Sequence, residues 1–244
     1  MTEFLLSRLL LDRSSRSLVR CPPDIGNGEK VISCSICEKR PPKRFCPAKG
    51  EKICAVCCGR EREVTIDCPA DCAHLLTAHR YEAEHRKAIP AEEFPYRDIQ
   101  VRPDFVYEHW DVIGGLASVL LRFQVQNKEL GDQAAVSAIE ALAETYRTLG
   151  TGIYYERPPD MSLARALYGQ MAQFLGEFRK EQIARTGFAS LKDSEVFQLL
   201  VFLLRIARQE TNGRPRSRAF LSFLATRFPV PADEAKQASR IIVP

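Results

Sequence analysis

From about residue 103 onward the chain repeats one pattern: large apolar side chains every three or four positions, with polar ones between. That period belongs to helices with one buried face. Phe105, Trp110, Ile113, Leu116, Leu120 and Phe123 predict a first helix over residues 104–126. Asp132 as a start signal and Gly150 as a stop bound a second. Leu163, Leu167, Met171, Phe174, Leu175 and Phe178 share one face of a third, over 161–184. A fourth begins at Asp193 or Ser194 and is almost continuously apolar to Ile206, as a central helix would be. Phe220, Leu221, Phe223, Leu224 and Phe228 mark a fifth over 216–228. Short connections between such helices predict an all-α helical-bundle domain over 103–244. Gly114 and Gly115 lie inside the first helix, where they predict close contact with a neighbour.

Residues 30–90 lack that periodicity and hold few large apolar side chains. They carry eight cysteines between Cys34 and Cys72 instead. Asp71 is placed to cap a closing helix that runs through Leu75, Leu76, His79 and Tyr81 to about Lys87. Residues 91–102, between Pro90 and Pro103, read as a linker. Residues 1–29 read as a disordered extension with Cys21 as a lone spectator. Arg8 and Asp12 interrupt its apolar stretch, which argues against a secretion signal and leaves organelle import as the alternative.

Composition places the chain among ordinary soluble proteins, with 45% hydrophobic and 27% charged residues in 244. No apolar run approaches the roughly 20 residues of a membrane span. The longest, residues 196–207, is broken by Gln198 and Arg205. Charge changes the picture more. Residues 30–90 hold 12 Lys/Arg against 8 Asp/Glu, a surplus equal to the whole formal excess of +4. Eight thiolates around two divalent ions would carry about −4, so the basic excess offsets metal-site charge.

The thiols form C-x-x-C pairs at Cys34/Cys37 and Cys54/Cys57, a spacing that turns two sulfurs toward one ion. Thiolates select zinc or iron–sulfur chemistry, and alternating pairs fit two Zn2+ per chain better than one compact cluster. Adjacent Cys57 and Cys58 suit a disulfide framework poorly, which points to a reducing, cytoplasmic setting. A closed four-thiolate site has no position for water, so its role is structural.

The stretch RFCPAKGEKICAVCC, residues 44–58, resembles the middle of B-box zinc fingers. It has a cysteine after an aromatic residue, eight positions to a cysteine in an Ile-Cys setting, and then C-x-x-C. A C-x-x-C ahead and a cysteine-and-histidine tail behind extend the likeness over residues 34–74. B-box, RING and HIT-type fingers are cross-braced or treble-clef-like folds in which alternating pairs share ions. The resemblance implies one zinc on Cys34, Cys37, Cys54 and Cys57, and another on Cys46, Cys58, Cys68 and Cys72. His74 is a substitute for Cys58 or Cys72 in the second. Lys49 stands where many B-boxes have a ligating aspartate, and Cys58 is an extra.

Two basic clusters stand out. Residues 39–52 contain Lys39, Arg40, Lys43 and Arg44 around Phe45, and Arg214, Arg216 and Arg218 alternate in NGRPRSR. Each suits phosphate contacts or, respectively, compensation of metal-site charge and a polar loop before the last helix. His79 and His85 read as surface or interface residues, and His109 as packing or capping. Hydrolase, nucleotide-loop, dinucleotide and zinc-deaminase motifs are absent. The expectation is a non-enzymatic adaptor or regulator whose zinc module and helical domain bind an unidentified protein. A nucleic-acid-binding regulator is the alternative, and an enzyme with an unrecognised site in the helical domain is third.

Overall fold

The computed structural model describes residues 33–228 except Ile153 and Ala189. The extension over 1–29 lies outside the described residues. The cysteine-rich region begins with a hairpin of β1 (Arg44–Cys46) and β2 (Glu51–Ile53), paired antiparallel with Arg44 opposite Ile53 and Cys46 opposite Glu51. Gly50 closes the turn at φ +67°, where a side chain would be strained. Next come α1 (Ala55–Glu61) and α2 (Ala73–Glu84). Ile53, Ile66 and Leu75 are the buried aliphatic residues of a small core otherwise made of cysteines.

The helical bundle consists of α3 (Pro103–Glu108), α4 (Trp110–Gln126), α5 (Asp132–Leu149), α6 (Ser162–Thr186), α7 (Asp193–Glu210) and α8 (Ala219–Arg227). The helix expected over 104–126 is two helices. The chain leaves helical geometry at His109, whose Nδ1 lies 3.0 Å from the Phe105 carbonyl oxygen. The ring engages a carbonyl of the last turn of α3, so His109 fills the capping role expected of it. α5 packs against both α6 and α7, α4 lies on α6, and α8 touches α4, α5 and α7. One continuous core runs through them, including Leu116, Leu120, Leu142, Met171, Leu200 and Phe220. Gly115 explains the close approach of α4 to α6: a Cβ there would lie 2.0 Å from the Phe174 ring.

The residues between the two regions are packed on the bundle. Arg205 of α7 donates to the carbonyl oxygens of Pro95, Tyr96 and Ile99. The Tyr96 ring meets Phe197 edge-on, and its hydroxyl donates to Glu144. The charge that interrupts the apolar run of α7 thus anchors a neighbouring segment.

Candidate metal centre

Two turns and one short helix assemble the first thiol set. Cys34 and Cys37 flank a turn that the Glu38 N–H closes on the Cys34 carbonyl, at 2.7 Å. Cys54 is the N-cap of α1, and Cys57 lies in its first turn. The four sulfurs of Cys34, Cys37, Cys54 and Cys57 all lie within 4.8 Å of one another. Four sulfurs about 2.3 Å from a shared centre sit about 3.8 Å apart in a tetrahedron. The Cys37 and Cys54 sulfurs are 3.9 Å apart.

Backbone amides point into the cluster. The Cys54 N–H donates to the Cys34 sulfur at 3.2 Å, and the Cys57 N–H to the Cys54 sulfur at 3.4 Å. Burial opposes ionisation of Cys34, but N–H groups of Cys54, Cys37 and Ile36 outweigh it and lower the thiol to about 6. Burial and then the neighbouring Cys54, Cys37 and Cys34 push Cys57 up to about 12. Four thiolates this close need a cation between them, and the donor set fits a soft ion held without water.

Cys46, Cys58, Cys68 and Cys72 are not gathered this closely; among the described residues only the first set is. Cys46 ends β1, Cys72 is the N-cap of α2, and Cys68 lies buried in the loop between α1 and α2. Burial raises the Cys68 thiol, and the charges of Cys72, Glu63 and Cys46 add to this. Cys58 follows Cys57 on α1 and therefore faces another direction, where its sulfur meets the Arg44 guanidinium at 3.5 Å. His74 is half-buried at the second position of α2.

The basic residues divide sharply. Lys39, Arg40 and Lys43 are exposed beside Phe45, itself 57% exposed. The arginines of NGRPRSR instead join the cysteine-rich region to the bundle. Arg214 donates to the carbonyls of Gly59 (3.2 Å) and Arg62 (2.6 Å), at the far end of α1. Arg216 donates to Thr65 O at 3.1 Å. Arg218 is only 3% exposed and donates to Cys68 O, Lys128 O, Leu130 O and the Asp67 carboxylate. The Arg218 guanidinium, so enclosed, has no face left for phosphate, whereas Arg214 is half-buried and Arg216 exposed.

Glu63 is the hub of the same joint. Wholly buried and at φ +54°, its carboxylate accepts from His79 Nε2 (2.9 Å), Asn212 Nδ2 (2.8 Å) and the Arg218 N–H (2.8 Å). Burial opposes its charge, but those donors prevail and hold the carboxyl below its usual range. His79 is therefore an interface residue and buried, whereas His85 is exposed and stacked on Tyr81. Nothing in the sequence singled out Glu63, because its partners lie far along the chain.

The chain matches no protein-family model, no curated protein and no solved structure. The zinc-finger likeness therefore stands on the cysteine spacing and on the four-thiol cluster. Among the described residues no helix is long and apolar enough to cross a membrane.

Proposed function

We propose that the chain is a zinc-dependent, non-enzymatic interaction protein whose metal region and helical bundle together present a binding surface to another protein. The observation that supports it is the closed four-thiol cluster of Cys34, Cys37, Cys54 and Cys57, which leaves no coordination position for a substrate. Zinc is the ion best suited to four thiolates near tetrahedral spacing. A second zinc would use Cys46, Cys58, Cys68 and Cys72, with His74 in place of Cys58 or Cys72, and a Cys58 ligand would have to give up its contact with Arg44. Metal analysis of the purified chain, followed by capture of partners with wild-type and Cys54→Ser protein, tests this reading. A chain without bound zinc, or an unchanged set of partners, rejects it.

Nucleic-acid binding is the second reading, carried by exposed Lys39, Arg40 and Lys43 around Phe45. Cations for the backbone and a ring for a base are the elements of a single-strand contact. Titration of the zinc-loaded chain with single-stranded RNA or DNA at low salt decides it, since absence of affinity there removes the reading.

A further inference from the structure

The described structure places the four-thiol cluster and the α7–α8 connection at opposite ends of α1. Cys54 and Cys57 sit at its start, and the carbonyls of Gly59 and Arg62 at its end receive Arg214. From that end, residues 63–68 supply further acceptors to the strap of residues 211–218, which also reaches Glu82 on α2 and Lys128 O, Leu130 O and Asp132 at the α4–α5 turn. Glu63 O takes the Arg216 N–H at 2.9 Å, the Glu63 carboxylate takes Asn212 and the Arg218 N–H, and Cys68 O takes Arg218 Nη1 at 2.6 Å. The strap in turn starts α8. Ser217 O accepts the Asp132 N–H at 2.7 Å, and Asp132 accepts the Phe220 and Leu221 N–H groups and the Ser217 hydroxyl. Asp132, the first residue of α5, thus caps α8 across the chain.

We infer that metal occupancy of the Cys34–Cys37–Cys54–Cys57 site controls the order of the 211–218 strap and of the α8 N-terminus, so the site acts as a latch on the helical domain. The inference rests on reading those thiols as a metal site. Its physical basis is the poverty of the alternative supports. Residues 33–72 bury only Ile53 and Ile66 as large aliphatic side chains. Without an ion to fix the thiols, α1 and the 63–68 loop lose their main constraint. Arg214 and Arg216 then lose their carbonyl acceptors, and Arg218 keeps only Lys128 O and Leu130 O. The cores of α4, α5, α6 and α7 pack on one another and stand apart from this dependence.

Amide exchange of the full chain, followed by NMR with zinc bound and after chelation, tests the latch. The amides of Arg216, Arg218, Phe220 and Leu221 are expected to exchange at least about tenfold faster once zinc is removed, with α4 and α7 amides unchanged. Arg214→Met takes away the hold on α1 without touching a thiol. It should bind zinc at the wild-type ratio, while its strap amides exchange fast in both states. Loss of zinc with unaltered strap protection overturns the latch and leaves the metal site standing. So does simultaneous melting of α4 and α7. A chain that takes up no zinc overturns both.

Discussion

The cysteine-rich region and the helical bundle reach order by different means. The bundle buries a continuous apolar core, and its helices carry that core at the 3.6-residue period. The cysteine-rich region has Ile53, Ile66 and Leu75, a three-residue hairpin pair and a seven-residue helix. So little apolar burial does not fold a segment of that size. A metal ion on the four thiols, as proposed above, would supply the rest together with the buried hydrogen bonds of Glu63 and Arg218. One region is secured by burial everywhere, the other at a few points, and they should fail under different insults.

The largest effect should come from the thiols. Cys54→Ser removes a ligand from a site whose metal contributes on the order of 10 kcal/mol to folding. Metal content should fall and the region from 33 to 72 should become protease-sensitive, while most far-UV helical signal persists. A wholesale loss of helix on this substitution would end the distinction between the two regions.

Next is the joint. Arg218→Met strands two buried carbonyls, those of Cys68 and Leu130, together with the part-buried Lys128 carbonyl and the Asp67 carboxylate. Asp67 is half exposed, so the cost is chiefly that of buried carbonyls left without donors, about 1–3 kcal/mol each. Denaturant unfolding should report that loss with bound zinc unchanged. Gly115→Ala is the counterpart within the bundle. Its methyl would collide with Phe174, and overpacking of this type costs about 1–3 kcal/mol. Thermal melting should shift down while metal stoichiometry and the strap remain as in the wild type.

The smallest effect concerns the segment packed on α5 and α7. Burial opposes the charge of Glu144, but the Tyr96 hydroxyl and Arg147 outweigh it and lower the carboxyl below its usual value. A carboxyl lowered in the folded state stabilises fully above its unfolded value and loses that contribution as pH falls through the folded one. Tyr96→Phe removes one donor, at a cost of about 1 kcal/mol at neutral pH. The difference from wild type should shrink below the usual carboxylate range; a gap that widens in acid would contradict the assignment.

Much of the architecture was readable along the chain, and the departures have local causes. The boundaries of α5, α6 and α7 fall close to the periodic runs, because periodicity and capping residues are short-range properties. The break at His109 was hidden because apolar spacing continues across it. Asp132 was read as the start of its own helix. It begins α5 and also caps α8, which no reading of residues 131–150 could show.

Each pair of the first thiol set was legible for the same short-range reason, since C-x-x-C turns two sulfurs together, and the grouping of the two pairs came from the B-box resemblance. The second set depends on where α1 points Cys58 and how the loop carries Cys68, so spacing alone left it open. The arginines of NGRPRSR show the limit most clearly. Their side chains announce positive charge, and charge suggested phosphate. Their partners are chiefly backbone carbonyls at residues 59, 62, 65, 68, 128 and 130. Every residue type carries a carbonyl, so a sequence gives no sign of which ones will be left free to accept. The sequence by itself determined the helices and the paired thiols, whose causes lie within a few residues. Only the tertiary structure decided that the basic loop turns inward to join the metal region to the bundle, because that choice depends on acceptors brought together from distant parts of the chain.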